Sequence, residues 1–309
     1  MRGLLLTTHV LAVLAMPVLM VGVVNRTKSL WAGRKGPRLL QFAWDLQRLM
    51  HKRPVYSVVS TPLFIAGSWV VLSASLLAAV IAPIFGDVSP LQFERDFIVF
   101  AYTLGLARIF LMLSAMDVGS AFEGMGAARE ASFTAFIEPA LFLLIGSAGV
   151  ATGHTSFAGL LGHLHASALF PVLAAPVVLV LFVLLQAEAS RVPVDDPLTH
   201  LELTMVHEVM ILDHSGPELA AMQFASAVKM TTYAGLIAAV VNPFEIAGSP
   251  VLGVLSSILL MVGVAVAIGC VESLTARLPL RHVPRYLMLA SLVALTCLGA
   301  TAWMAGVRN

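Results

Sequence analysis

Eight apolar stretches divide the chain, at residues 4–24, 62–84, 97–115, 131–150, 168–187, 230–241, 251–270 and 286–304. Runs of about 20 apolar residues cross a bilayer as helices, because hydrocarbon offers the backbone no hydrogen-bond partner but itself. The sixth run is short, and its pattern predicts an earlier start near Ala220, as an amphipathic segment entering the membrane. The first run is longer than the apolar region of a signal peptide and passes straight into a basic segment, so it reads as a span. The expected architecture is an all-α, polytopic membrane helical bundle with about eight transmembrane helices. It forms a single integral membrane domain over residues 1–309.

Composition agrees. The chain is 59% hydrophobic and 11% charged, whereas soluble domains carry about 25% charged residues. There is too little polar surface to cover a globule in water. The two cysteines, Cys270 and Cys297, lie in separate apolar runs. They supply neither a metal cluster nor a disulfide framework, so any redox centre belongs to another chain. A net charge of +1 and the lack of a basic tail give no reason to expect nucleic acid.

Charge then orients the bundle. Fourteen of the 18 Lys and Arg residues fall in the odd-numbered loops. The positive-inside rule places those loops in the cytoplasm and both termini on the non-cytoplasmic side. An even number of spans requires the same. Residues 25–61 form a basic cytoplasmic loop, and residues 188–229 an acidic one. The opposite loops are short. Their His154, His163 and His165 have no carboxylate or thiol neighbour in sequence and read as parts of connectors, with no metal site expected.

Four features carry candidate chemistry. Gly33, Arg34, Lys35, Gly36, Pro37 and Arg38 make a basic turn. Beyond it, Leu39, Phe42, Leu46 and Leu49 recur near helical spacing, as in an amphipathic helix lying on the membrane surface. Such a helix is also a docking site for a soluble subunit. The run 117–131 (DVGSAFEGMGAAREA) holds glycines that permit tight turns and close approaches. It lacks the Lys-Ser/Thr of a phosphate loop, so nucleotide binding is rejected. Arg108 and Glu138 lie inside spans, where ionisable groups pair, face a protein interior or titrate. Pro139, next to Glu138, breaks the helix ladder locally and offers an entry for water.

The fourth feature is the acidic segment, which holds seven of the 17 acids: Glu188, Asp195, Asp196, Glu202, Glu208, Asp213 and Glu218. Pro193 and Pro197 bracket Asp195 and Asp196, whose adjacent charges invite a cation or an Arg partner. Residues 199–208 read as a helix, with His200 and His207 on one face and His207–Glu208 as a possible proton relay. The spacing is not that of a His-Glu-x-x-His zinc site.

These features occur in the order expected of one family. The chain resembles the membrane-anchor subunit shared by formate hydrogenlyase-type, energy-converting NiFe hydrogenases and respiratory complex I, the complex I subunit 1 family. The resemblance spans almost the whole chain. It rests on GRKGPRLLQ at 33–41, DVGSAFEGMGAAREA at 117–131, Glu138-Pro139, and PVDDPLTHLELTMVHEVMILDHSG at 193–216. It implies no cofactor in this chain, with iron–sulfur clusters and a NiFe centre in partners. Those partners are hydrogenase-like large and small subunits, an iron–sulfur subunit and antiporter-like membrane subunits, in the inner (cytoplasmic) membrane.

Carried over by position, the resemblance implies a proton or ion path through Glu138, Asp195, Asp196, Glu202, Glu208 and Asp213. Arg108, Arg129 and Lys229 would be its charge partners, and Arg34, Lys35, Gly36, Pro37 and Arg38 the docking turn. In complex I the same region forms a quinone chamber. Val194 stands where complex I has a Phe, and the acid spacing differs, which puts quinone binding in doubt. The alternatives are a quinone-site subunit of a complex I-like dehydrogenase and an independent ion carrier. Carriers often show repeated broken helices, which this sequence lacks.

Overall fold

The computed structural model describes residues 2–86, 88–195, 205–244 and 250–308. Among them the regular structure is helical: α1 (Arg2–Trp31), α2 (Gln41–Met50), α3 (Pro62–Ile81), α4 (Asp96–Asp117), α5 (Ala121–Thr152), α6 (Phe157–Gly162), α7 (Phe170–Glu188), α8 (His207–Met210), α9 (Gly216–Val241), α10 (Pro250–Leu274) and α11 (Val283–Arg308). Eight of these (α1, α3, α4, α5, α7, α9, α10 and α11) are long and apolar enough to cross a membrane.

The bundle is organised around α9. It has the lowest mean hydropathy of the eight, 1.5, yet 83% of its apolar window is buried, against 28–50% in the others. It packs on α1, α3, α7 and α10. A helix surrounded by protein need not be greasy on every face, so α9 can carry Lys229 and Tyr233 inward. By contrast, α10 and α11 are the least buried. They turn Leu255, Leu259, Leu292, Leu295 and Trp303 outward, as lipid-facing helices do.

Two helices begin earlier than hydropathy predicts. The start of α9 lies at Gly216, ahead of Ala220, and takes the last third of the 188–229 segment out of the loop. Pro217 marks this start, since Pro is favoured in the first turn, where no backbone N–H is needed. The 32-residue α5 begins at Ala121 and absorbs the glycine-rich run. At 1.5 Å per residue it is about 48 Å long, well beyond an apolar core of about 30 Å. Of the glycines in that run, Gly119, before the helix, takes a left-handed φ (74°). Gly124 and Gly126 are helical. Gly126 serves close approach instead, since a side chain there would collide with Val209 and Met210. Pro139 lies inside α5 without ending it. Ser291 of α11 donates to the Phe136 carbonyl at 3.0 Å nearby.

The odd-numbered loops meet at one end of the bundle. Val55 N–H donates to Ser215 Oγ at 2.9 Å, Asp213 N–H to Glu123 at 3.3 Å, and Leu278 N–H to the Pro193 carbonyl at 3.1 Å. At the other end Arg95 N–H reaches the Thr155 carbonyl, and Asp96 accepts from Phe157 N–H. Most of the Lys and Arg residues, 14 of 18, are therefore gathered at one pole.

Helices α3 and α4 pack closely through Gly67. A Cβ there would stand 2.7 Å from the Ser114 Cβ, and Ser114 also donates to the Phe64 carbonyl at 3.1 Å. Gly67→Val is expected to lower the melting temperature in detergent, at a cost of about 1–3 kcal/mol, with Gly67→Ala losing less.

Candidate functional site

Helix α7 ends in a Schellman turn. Arg191 N–H bonds the Gln186 carbonyl at 2.7 Å and Ser190 N–H the Ala187 carbonyl at 3.3 Å, with Ser190 left-handed at φ 52°. This stops the helix at Glu188 and leaves its carboxylate at the negative end of the helix dipole. The same side chain is 1% exposed. Both circumstances disfavour a carboxylate, and two cations answer them. Arg108 from α4 lies 3.3 Å away, and Lys229 from α9 lies 3.6 Å away.

Arg108 is shared. The same Nη2 stands 3.5 Å from Glu138 Oε1 on α5. Arg108 is buried, whereas the Glu138 side chain is 44% exposed, so the chain of charges runs from the interior to the bundle's flank. Glu130, eight residues before Glu138 on the same α5, lies within electrostatic reach of Arg108, Lys229, Glu188 and Asp195. Three carboxylates thus face two cations.

Toward the loops the chain continues through Asp195, which is buried and pairs with Arg277 at 2.7 Å. Asp195 also accepts from His207 N–H at 2.8 Å. Arg129 donates to the Met205 carbonyl at 2.7 Å and lies near both Arg277 and Asp195. Beside it, Glu272 at the end of α10 is fully buried between Lys28 at 2.7 Å and Arg191 at 3.5 Å. The 189–195 turn is therefore clamped on both sides by the α10–α11 connection.

The residues singled out by sequence separate accordingly. Glu138, Arg108, Lys229, Asp195 and Arg129 come together around Glu188. Asp213 is exposed and apart, touching Glu123 through its backbone. Glu208 is half-buried in the one-turn α8. Asp196, Glu202 and His200 lie outside the described residues. The helix expected over 199–208 is absent at Met205 and Val206 and begins at His207; Gly126 lets this segment lie against α5 instead. Arg34, Lys35, Pro37 and Arg38 are exposed and Gly36 half-buried. With Trp44 and Arg48 of α2 and with Lys52 just beyond it, residues 36–38 line an open groove of about 970 Å³.

Glu188, Glu130, Glu272, Arg191 and Arg277 were not among the chosen site residues. Their signal was position, since each sits within a few residues of a span's end. A loop carboxylate and one turned into the bundle look alike in sequence.

His207 and His214 are held neutral. Burial, with Lys229 nearby, lowers His207 to about 3. Its imidazole is thus uncharged at neutral pH, which fits a relay only through the neutral ring. His214 stacks on Phe64 at 3.9 Å and contacts Ser114 at 3.0 Å, and burial lowers it to about 4. Tyr56 donates to Glu218 at 2.6 Å, and that bond pushes its phenol up to about 12. Among the described residues, no three His, Cys, Asp or Glu are grouped to hold a metal ion. His154 and His163 stack on each other with ring centroids 4.0 Å apart.

An all-helical membrane bundle with a buried chain of ion pairs is the class that this fold and site define. The chain belongs to the NADH dehydrogenase family, whose profile matches residues 4–302. It is 28% identical over 226 residues to hydrogenase-4 component C of Escherichia coli (strain K12), covering 73% of this chain and 71% of that one. It is also 28% identical over 284 residues to formate hydrogenlyase subunit 4 of the same organism, covering 89% and 91%. A chain of the membrane-bound sulfane sulfur reductase, an archaeal respiratory membrane complex, shares the fold with a TM-score of 0.78 at 19% identity, over 98% of each chain. The resemblance read from the four sequence segments therefore stands.

Two outcomes are expected. Glu188→Ala strands Arg108 and Lys229 without a shared counterion and costs about 3–5 kcal/mol, measured as thermal unfolding in detergent. Lys229→Met added to it recovers part of the loss. For His214, the unfolded chain takes up a proton near 6.5, which the folded protein refuses until about 4. Acidification through that window therefore favours unfolding, by on the order of 3 kcal/mol. His214→Asn should flatten the dependence of stability on pH.

Proposed function

We propose that this chain is the membrane-anchor and ion-coupling subunit of a multisubunit, membrane-bound hydrogenase-type complex of the formate hydrogenlyase kind. The observation that carries the reading is a set of charged side chains within the bundle, most of them buried. It runs from Asp195 at the loop pole, past Glu130, Lys229, Glu188 and Arg108, to Glu138 at the flank. A merely anchoring bundle has no need of such a set, because desolvating each charge costs several kcal/mol. The named relatives, hydrogenase-4 component C and formate hydrogenlyase subunit 4, support the same assignment.

In this reading the loop pole faces the cytoplasm, as its basic residues favour. The exposed turn 34–38 and α2 meet the hydrogenase-like large and small subunits and the iron–sulfur subunit, which hold the NiFe and iron–sulfur centres. The Glu138 flank meets an antiporter-like membrane subunit, in the inner membrane. Electron transfer in the arm changes the charge near the loops. That change bears on Arg108, which stands almost midway between Glu188 and Glu138 at 3.3 and 3.5 Å. The movement passes toward the flank as a proton or sodium displacement. Val194, at the position of a Phe in complex I, is buried among core residues, which counts against a quinone chamber there.

Glu138→Gln tests the reading. The complex is expected to assemble, with ion translocation per electron pair falling to background in inverted vesicles. Normal translocation in that variant would refute the coupling role.

A further inference from the structure

A cavity of about 370 Å³ opens at the loop pole, apart from the chain of ion pairs around Glu188. Three loops build it. Tyr56 and Ser57 come from the first, Val118 from the third, and Asp213 and His214 from the fifth. Two buried acids stand directly behind its wall. Tyr56 donates to Glu218 Oε1 at 2.6 Å, and Asp213 N–H donates to Glu123 Oε1 at 3.3 Å. Glu218 is 4% exposed and Glu123 1%. Each keeps a buried Oε2 that meets no hydrogen-bond partner. The ion pairs among the described residues engage neither of them, nor Asp213. Asp213 itself is exposed, lines the cavity and lies within electrostatic reach of Glu123. A buried carboxylate without a cation is costly, and like charges side by side add to the cost. What would offset it must come from another chain.

We propose that this cavity receives an arginine side chain of the soluble arm. This rests on the reading of the chain as that arm's membrane anchor. An arginine brings five N–H donors in a planar fork and stacks on aromatic rings, where a lysine brings one compact charge. Asp213 takes the fork, and the half-exposed Tyr56 offers its ring as a face for stacking. Glu123 and Glu218 add negative charge from behind the wall. The basic groove lies close by along the chain, since Lys52 lines the groove and Tyr56 the cavity. The arm therefore meets a positive site and a negative one side by side. Opposite charges at two neighbouring points fix orientation as well as contact.

The test uses the whole complex, purified in mild detergent through a tag on this chain. A photoreactive residue replaces Leu212, which is 54% exposed and lines the cavity. The expected product is a crosslink to a soluble subunit, with an arginine at or beside the point of attachment. Attachment to a peptide without arginine there, to lipid alone, or to nothing overturns the proposal. Asp213→Arg is expected to lower the soluble subunits retained at raised salt roughly tenfold or more, with the membrane subunits still bound. Replacing the crosslinked arginine by aspartate in the same complex should restore them. Undiminished retention in Asp213→Arg also overturns the proposal. The two claims fail separately. If the unaltered chain brings down membrane subunits and no soluble ones, the anchor reading falls. If the soluble subunits are present and no arginine is found at Leu212, only the cavity's role falls.

Discussion

The shared neutralisation of Glu188 by Arg108 and Lys229 is the interaction on which the rest of the structure depends. A carboxylate at the dipole-negative end of a buried helix is tolerable only with cations beside it. Meeting that need draws α4 and α9 onto the end of α7, and the second carboxylate on Arg108 draws in α5. Four membrane helices are thus tied at one level by charge, where apolar packing alone would let them slide. Between helices in lipid there is little hydrophobic drive to set register. Specific polar contacts of this kind do so.

The same arrangement explains why the most buried helix is the least apolar. With α9 walled off by α1, α3, α7 and α10, its lysine and tyrosine face protein instead of lipid. The cost of burying them is offset locally, and the result is a polar seam through an otherwise apolar bundle. At the loop pole the seam is held by the clamps from Arg277 and from Glu272 with Lys28 and Arg191. These fix the 189–195 turn against the α10–α11 connection, while the outer faces of α10 and α11 remain apolar. Ion pairs at the loop pole are thus combined with an arginine shared between two carboxylates in the middle.

Much of this was legible in the chain. Uninterrupted apolar runs fix spans because lipid leaves the backbone no alternative, and all eight appear. The amphipathic spacing of Phe42, Leu46 and Leu49 became α2. Where the sequence misled, the reason was physical. The glycines of 117–131 suggested turns, but Gly124 and Gly126 lie in a helix, and Gly126 is there for the close approach of Val209. The 188–229 segment looked like one acidic loop because hydropathy averages over α9's buried, small-residue first turns. Arg108 and Glu138 announced themselves as charges inside apolar runs. Glu188 and Glu272 did not, since a charge at a span's edge is ordinary, and only the tertiary fold reveals which edges turn inward.

The most direct test of the account is to purify the complex in mild detergent through a tag on this chain, reconstitute it in sealed liposomes, and drive it with a reduced dye. Nickel content, hydrogen evolution and ion movement would be followed together. The account predicts nickel in the co-purifying subunits and hydrogen evolution accompanied by ion movement that an uncoupling ionophore collapses. Hydrogen evolution at full rate in tight vesicles with no ion movement would contradict it. So would co-purification of iron–sulfur subunits without nickel, accompanied by reduction of added quinone.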